Sequence, residues 1–312
     1  MSASGPSLPA QRRTPRPRRV TLLALVSSAV LVASPVLATR AGTLGGSAPS
    51  RLPVPTAGSS QSARGSARAS LLAALRASSH PPQQATHPSP PPSPVGVLSV
   101  AGSPYHFCSA SVVDSPQGDV VLTAAHCVVG TGRDLVFVPG YDRGREPYGS
   151  WQVTAAYAAP AWLRHRDPAD DFAFLRVAAR DVDGRPTEVQ QLTGGYRLGG
   201  PPPAAARVTV VAYAAGAGHA PLRCAPWVHW AHGYPVFDCA GYPGGTSGGP
   251  WLSVAAGRTD TIRGIIAGFH QGGCREDTSY SPTFGSTVEA VYELAARAGP
   301  PESLPPAGPS GC

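Results

Sequence analysis

The chain has 312 residues, six cysteines, no lysine and a formal net charge of +7. Ten of its 25 basic residues and none of its 18 acidic residues lie in residues 1–95, so the remainder of the chain is slightly acidic. This distribution argues against nucleic acid as a partner, because the positive charge belongs to the N-terminal segment rather than to a folded surface.

The first 38 residues have the organisation of an export signal. Five arginines lie between positions 12 and 19, an apolar run follows at 20–32, and small residues at 36–38 offer a cleavage site. This order is typical of a secretory signal peptide. We therefore predict a signal peptide over 1–38 and a secreted, extracellular protein. The apolar run is shorter than the about 20 residues of a membrane span, so no stable membrane insertion is expected unless the leader stays uncleaved as an anchor.

Residues 39–94 are rich in serine, alanine and proline and end in a proline-rich run. Such a composition buries too little apolar surface to build a core. We predict a flexible propeptide or linker here. A short helical run at 70–78 leaves two possibilities open, a segment that packs on the domain or a transient helix.

From Val95 to about residue 298 the sequence predicts one all-β domain. Short β-branched and apolar runs alternate with glycine, proline and aspartate, a spacing that indicates a barrel or a sandwich. The runs lie at 109–113, 120–123, 135–138, 151–155, 172–177, 208–213 and 262–267. Helical spacing at 289–297 predicts a short C-terminal helix, and the proline- and glycine-rich residues 299–312 predict a flexible tail.

Three motifs carry the chemistry. His126 lies in the segment L-T-A-A-H-C, Asp171 opens the segment D-F-A-F-L, and Ser247 lies in the segment G-G-T-S-G-G-P. A serine hydroxyl becomes a strong nucleophile only when an imidazole removes its proton, and the imidazole needs a carboxylate to orient it. Asp170 is the rival carboxylate, but the alternating apolar residues that follow favour Asp171.

The three motifs, in the order His, Asp, Ser, resemble those of the chymotrypsin-like (trypsin-like) serine protease family, most closely its bacterial secreted members. The resemblance implies two six-stranded antiparallel β-barrels, with His126 and Asp171 from the first and Ser247 from the second. It also implies endopeptidase activity on polypeptides through an acyl-enzyme, an oxyanion hole formed by the N–H groups of Gly245 and Ser247, a monomer and no cofactor. A calcium ion in a loop stays open.

Two departures from the family pattern concern activation and specificity. Thr246 replaces the aspartate that binds a new N-terminus in zymogen-type members, so activation by N-terminal insertion is not expected. The cleft-lining strand at 264–269 also differs, because alanine and glycine replace a serine and a tryptophan. The substrate-binding residues implied by the resemblance are Gly241, Tyr242, Ala267, Gly268 and Phe269, with an apolar or small side chain as the default preference.

Six cysteines in an exported protein indicate disulfides. By resemblance, Cys108 and Cys127 form the bridge that brackets His126, and we expect Cys224 and Cys239 to form a second one. Cys274 and Cys312 either pair or stay apart. No metal site is predicted: His229 and His232 are two residues of a possible site for which the sequence offers no third ligand.

Two alternatives to the secreted endopeptidase remain. The first keeps the chemistry and changes the substrate to an ester. The second is an inactive protease-like module, displayed at the cell surface, whose cleft binds a peptide without cutting it. The complete set of three motifs favours catalysis over this binding role.

Overall fold

The computed structural model describes residues 84–255 and 258–312, and it describes side chains except at 254–260. The predicted signal peptide and residues 39–83 of the predicted propeptide or linker lie outside these residues. Within the described residues, no helix is both long enough and apolar enough to cross a membrane.

The first half of the described chain forms a closed β-barrel. Its strands are β1 (His87–Pro88), β2 (Val95–Val100), β3 (His106–Val112), β4 (Val120–Thr123), β5 (Leu135–Pro139), β6 (Trp151–Ala158) and β7 (Ala173–Val177). Six of them close the barrel in the order β2-β3-β4-β7-β6-β5. Large apolar side chains on these strands, among them Leu122, Phe137 and Phe174, are fully buried. This burial explains why the strands read as nearly continuous apolar runs in the sequence.

The second half is built from two sheets and a separate hairpin. Its strands are β8 (Arg180–Val182), β9 (Arg185–Thr187), β10 (Arg197–Leu198), β11 (Val208–Ala212), β12 (Leu222–Cys224), β13 (Val228–Ala231), β14 (Tyr234–Asp238), β15 (Pro250–Ala255), β16 (Arg258–Ile265) and β17 (Thr278–Tyr280). A six-stranded sheet has the order β1-β12-β11-β15-β16-β10, β13-β14-β17 form a smaller sheet, and β8 pairs with β9.

The all-β architecture predicted from the sequence is confirmed. Among the described strands, those of the first half close into a barrel. In the second half, the glycine-rich segments 239–249 and 266–273 run as loops and turns instead of extending the strands. Several of their glycines have positive φ angles, which extended strands do not use. The second half therefore stays an open sheet beside a smaller one.

All seven predicted strand runs coincide with strands of the structure, with ends displaced by a few residues. The sequence did not predict the hairpin of β13 and β14 or the strand β17. These strands are short and carry polar and aromatic side chains, so they lack a clear apolar alternation.

Three short α-helices complete the described part of the fold: α1 (Pro160–His165), α2 (Val189–Thr193) and α3 (Ser286–Ala296). The predicted C-terminal helix is confirmed as α3, which begins three residues before the predicted start. Val291 and Ala295 on α3 are buried, and the rings of Tyr292 and Phe174 meet edge to face at 5.7 Å. The helix therefore packs its apolar side against the first barrel.

The two ends of the described chain lie against the domain, where the sequence predicted a flexible linker and a flexible tail. The Thr86 N–H donates to the Ala240 carbonyl at 2.8 Å, and β1 pairs with β12. At the other end, Leu304 is 2% exposed and exchanges two backbone hydrogen bonds of 2.8 Å with Gly130. Proline-rich composition concealed these contacts, because an added edge strand needs backbone pairing rather than an apolar pattern.

Candidate active site

His126 and Asp171 form a tight pair at one end of the first barrel. His126 lies in the single 3₁₀ turn Ala125–Cys127, directly after the fully buried strand β4. Its Nδ1 lies 2.7 Å from Asp171 Oδ2, and its backbone N–H donates to Asp171 Oδ1 at 2.9 Å. The carboxylate thus orients the ring through one bond and holds the backbone of the turn through the other, and Nε2 is the ring nitrogen left for a reacting group.

Asp171, rather than its rival Asp170, faces the histidine. The Asp171 side chain is 1% exposed, and a third donor, the N–H of Gly268, reaches its Oδ2 at 2.9 Å. Three N–H donors compensate for the loss of water around the carboxylate. Asp170 ends the adjacent 3₁₀ turn Pro168–Asp170, and burial, followed by the charge of Asp167, raises its pKa.

The loop that carries Ser247 is fastened to β3, the strand that also holds Cys108. Ser247 accepts the N–H of Ser109 at 2.8 Å, and the Gly248 N–H donates to the Ile266 carbonyl at 2.8 Å. Gly248 has a φ of +81°, and a Cβ there would lie 2.1 Å from the Ser109 carbonyl oxygen. Only glycine fits this approach. Hydrogen bonds among the described residues do not include one between Ser247 Oγ and His126.

Two backbone amides near Ser247 are available to an anion. Among the described residues, the N–H groups of Gly245 and Ser247 find no acceptor. Gly245 has a φ of +95°, and a Cβ there would lie 2.1 Å from the Ala215 nitrogen. The glycine therefore permits a conformation that leaves both donors free, as an oxyanion hole requires.

Thr246 stabilises this loop locally. The residue is 3% exposed, and its hydroxyl donates to the Pro243 carbonyl at 2.7 Å. The Thr246 N–H also points to that carbonyl, at 3.3 Å. Threonine thus holds the turn with neutral hydrogen bonds, where the family resemblance would place a carboxylate.

Three disulfides join the six cysteines. Cys108 pairs with Cys127, Cys224 with Cys239, and Cys274 with Cys312. The first two pairs are those predicted from the sequence, and the third resolves the alternative that the sequence left open. The first bridge ties the turn of His126 to β3, the strand that also binds the serine loop.

A cavity of about 170 Å³ opens beside Ser247. Apolar surface is contributed by Tyr242 and Ile266, and the opposite wall is the segment from Gln271 to Glu276. Arg275 on this wall pairs with Asp277 through hydrogen bonds of 3.1 and 2.7 Å. Because that cation is already neutralised, the cavity does not present a free positive charge from Arg275.

Only Tyr242 among the five substrate-binding residues predicted from the resemblance lines this cavity. Gly241 lies instead against Thr86, whose hydroxyl donates to its carbonyl at 3.0 Å. Ala267 is buried and donates to the Tyr280 carbonyl, and Gly268 binds Asp171. Phe269 stacks on His232 and Tyr234 at ring distances of 5.0 and 5.5 Å.

The sequence profile of the trypsin-like peptidase domain matches residues 108–259, which contain His126, Asp171 and Ser247. The chain carries a trypsin-like serine peptidase domain. It is therefore a serine-type endopeptidase, and its substrates are polypeptides.

Solved structures resemble the domain over nearly their whole length. Protease Anisep from Arthrobacter nicotinovorans is 23% identical with a TM-score of 0.57, over 68% of this chain and 99% of that protein. The thermostable serine protease AL20 from an extremophilic microorganism is 25% identical with a TM-score of 0.56, over 67% and 99%. Human heparin binding protein is 15% identical with a TM-score of 0.52, over 71% and 100%. The fold thus occurs both in proteases and in a protein whose name refers to heparin binding.

The histidine and cysteine clusters of the peptidase domain have partners other than a metal. His229 lies 3.8 Å from an Asp238 carboxylate oxygen, and His232 stacks on Phe269. Two groups, Cys108-His126-Cys127 and His270-Cys274-Cys312, have ligand-type atoms within 4.8 Å of one another. Their cysteines are oxidised to disulfides and so do not offer thiolates.

The sequence reasoning did not identify the wall from Gln271 to Glu276 of the peptidase cavity. Its signal was present as Cys274, an odd cysteine in a glycine-rich stretch after the cleft-lining segment. The chain there makes a turn in which His270 and Gln271 have φ angles of 53° and 54°. Such left-handed residues are not recognisable from residue type, since both are ordinary polar side chains.

Proposed function

We propose that the chain is a secreted serine endopeptidase that cleaves peptide bonds through His126, Asp171 and Ser247. The observation that carries the proposal is the buried Asp171, held by three N–H donors and bound to the ring of His126 at 2.7 Å. A carboxylate so placed fixes the tautomer of the ring and stabilises its protonated form.

The mechanism follows from the roles of these groups. His126 Nε2 accepts the proton of the Ser247 hydroxyl as Ser247 Oγ attacks the scissile carbonyl. The N–H groups of Gly245 and Ser247 stabilise the negative oxygen of the tetrahedral intermediate. His126 then gives its proton to the leaving amine, and water hydrolyses the acyl-enzyme with the same histidine as base.

Secretion is supported by two independent features. The leader has the organisation of a signal peptide. The six cysteines form three disulfides, which persist in oxidising compartments such as the extracellular space. The proposal keeps residues 1–38 as the signal peptide, residues 39–94 as propeptide or linker, and a monomeric peptidase.

Fluorophosphonate labelling tests the proposal directly. The probe reacts with an activated serine, so the wild-type chain is expected to be labelled, whereas the Ser247→Ala and His126→Ala variants are not. Hydrolysis of a simple ester should follow the same pattern, because ester cleavage uses the same three residues.

The inactive binding module is the alternative outcome. A folded wild type with three intact disulfides that neither reacts with the probe nor hydrolyses the ester would refute catalysis. Binding of an uncut peptide would then be the activity to measure, by titration of the wild type and of Ser247→Ala with the same peptide.

A further inference from the structure

The last nine residues of the chain follow a fixed path over the peptidase domain. The path begins at the buried Leu304, which is paired with Gly130. The Pro306 carbonyl then accepts a hydrogen bond of 2.7 Å from Arg166 Nε. It ends in the disulfide between Cys312 and Cys274. We call residues 304–312 the C-terminal strap, because it is anchored at both ends.

The middle of the strap lies beside the proposed triad. A small cavity of about 60 Å³ is lined on one side by Asp171 and Gly268, and on the other by Gly308–Ser310. Gly268 is one of the residues that donate to the Asp171 carboxylate. The strap is therefore a close neighbour of the catalytic carboxylate although it is more than 130 residues away in sequence.

The strap is held by the side chains that follow the cleft-lining segment. Gln271 Nε2 donates to the Gly308 carbonyl at 2.7 Å, and His270 Nδ1 lies 3.2 Å from the Ser310 carbonyl. Both residues have left-handed backbone angles, so the chain turns here instead of continuing as a strand. A peptide that paired with the cleft-lining segment as an added strand would thus find only a short backbone edge.

Aromatic packing closes the same region from another direction. The Phe269 ring stacks on His232 and Tyr234 from the β13–β14 hairpin and meets Tyr280 at 5.1 Å. Cys274 belongs both to the wall of the cavity beside Ser247 and to the disulfide of the strap. The strap end is consequently fixed to the wall of the cavity beside Ser247.

One buried donor belongs to a residue of the small cavity. The indole N–H of Trp162 is buried and has no acceptor among the described residues. Trp162 lines the cavity together with the strap.

We propose that the C-terminal strap is a specificity-determining element that shortens the substrate cleft on the side of the residues preceding the scissile bond. The inference rests on the proposed function, because it assigns the cleft to a peptide cleaved at Ser247. Substrates with one residue before the scissile bond reach the catalytic groups. Residues 308–310 keep the residues further before the scissile bond from pairing along the cleft, so longer polypeptides are still cleaved but gain little affinity from these residues.

The experiment compares a single-residue ester with a tetrapeptide amide that carries the same residue before the scissile bond. The first protein is the full wild-type chain. The second lacks residues 307–312 and carries Cys274→Ser, so that no free thiol remains. The third protein retains the whole strap but lacks its disulfide, because it carries Cys274→Ser and Cys312→Ser. It is the matched control for loss of the disulfide alone.

The measured quantity is the ratio of kcat/KM for the tetrapeptide to kcat/KM for the ester. We expect this ratio to rise at least about tenfold in the truncated protein, because extended pairing then becomes available, and to be intermediate in the untethered one. An equal ratio in all three proteins would overturn the role of the strap. Because the ester and the fluorophosphonate probe report Ser247 by themselves, failure of the proposed function is seen separately, as an inert wild type.

A second measurement needs no variant and so does not depend on the truncated protein folding. Two phosphonate inhibitors, one with a single residue and one with four, are compared on the wild-type chain. The proposal expects the longer inhibitor to inactivate the enzyme no faster than the shorter one. Inactivation more than about tenfold faster by the longer inhibitor would show an open cleft and contradict the proposal.

Discussion

The two halves of the proposed site are built by different means. His126 and Asp171 stand at the end of a closed barrel, next to largely buried strands, and contact each other directly. Ser247 stands in a loop of an open sheet, and its position depends on the bond of its own carbonyl to Ser109 and on the bond of the neighbouring Gly248 to Ile266. The histidine–aspartate pair is therefore a property of one barrel, whereas the serine is placed by contacts between the halves.

This difference predicts different sensitivities to substitution. In the barrel half, the chemistry depends on the charge of the Asp171 side chain. A substitution there should therefore lower activity severely even when the backbone keeps its conformation. In the loop half, the chemistry depends on backbone amides, so changes of conformation matter more than changes of charge.

The largest effect is expected at Asp171. Asp171→Asn should lower kcat for ester hydrolysis about 10⁴-fold, because an amide no longer holds the active tautomer of His126. Asp170→Asn is the matched control, and it should change kcat less than about threefold, since Asp170 lies in the adjacent turn and does not bind the ring. Similar losses in both variants would contradict the assignment of Asp171.

The next largest effect is expected from a substitution at Gly248 in the serine loop. Gly248→Ala would place a Cβ 2.1 Å from the Ser109 carbonyl oxygen at a φ of +81°, so the loop must move. We expect kcat to fall about 100- to 1,000-fold, the size of losing one oxyanion donor. Gly244→Ala is the control in the same loop, because no atom lies within 4 Å of its Cβ position. An active Gly248→Ala enzyme would show that the amides do not depend on this contact.

The barrel half was predictable from sequence because its signals are local. Apolar runs predicted the strands on either side of His126 and Asp171, and the order of the motifs indicated their pairing. The loop half was only partly predictable. Ser247 and Gly245 were recognisable among glycines, but the wall from Gln271 to Glu276 and the strap that ends at Cys312 depend on left-handed residues and long-range backbone bonds, which leave no periodic pattern.

Removal of the disulfides separates stability from activity in the two halves. The Cys108–Cys127 and Cys224–Cys239 bridges join residues 19 and 15 positions apart. Replacing either pair by alanine should lower the free energy of unfolding by about 3 kcal/mol. Only the first pair anchors the turn of His126, so kcat should fall more than about tenfold for that pair alone. Urea unfolding and ester kinetics measure the two effects, and equal losses of kcat would refute the distinction.

The smallest effect is a change of stability with pH at the contact between the two halves, which we call the seam. There His106 and Gly216 exchange two backbone hydrogen bonds of 2.9 Å. The His106 ring is 2% exposed, and neither of its nitrogens has a partner among the described residues. Tyr141, Tyr213 and His219 surround it. Burial, followed by the charge of His219, lowers the pKa of His106 to about 4.

Because the unfolded chain binds this proton more readily than the folded one, stability should be complete above pH 6.5 and should fall as the pH drops toward 4. The expected loss attributable to His106 is about 3 kcal/mol at pH 4, and His106→Phe should remove it while leaving other titrations in place. Urea unfolding at pH 7 and pH 4 measures the difference between the two proteins. If acid destabilised His106→Phe as much as the wild type, the acid sensitivity would arise elsewhere and the seam would not depend on a neutral histidine.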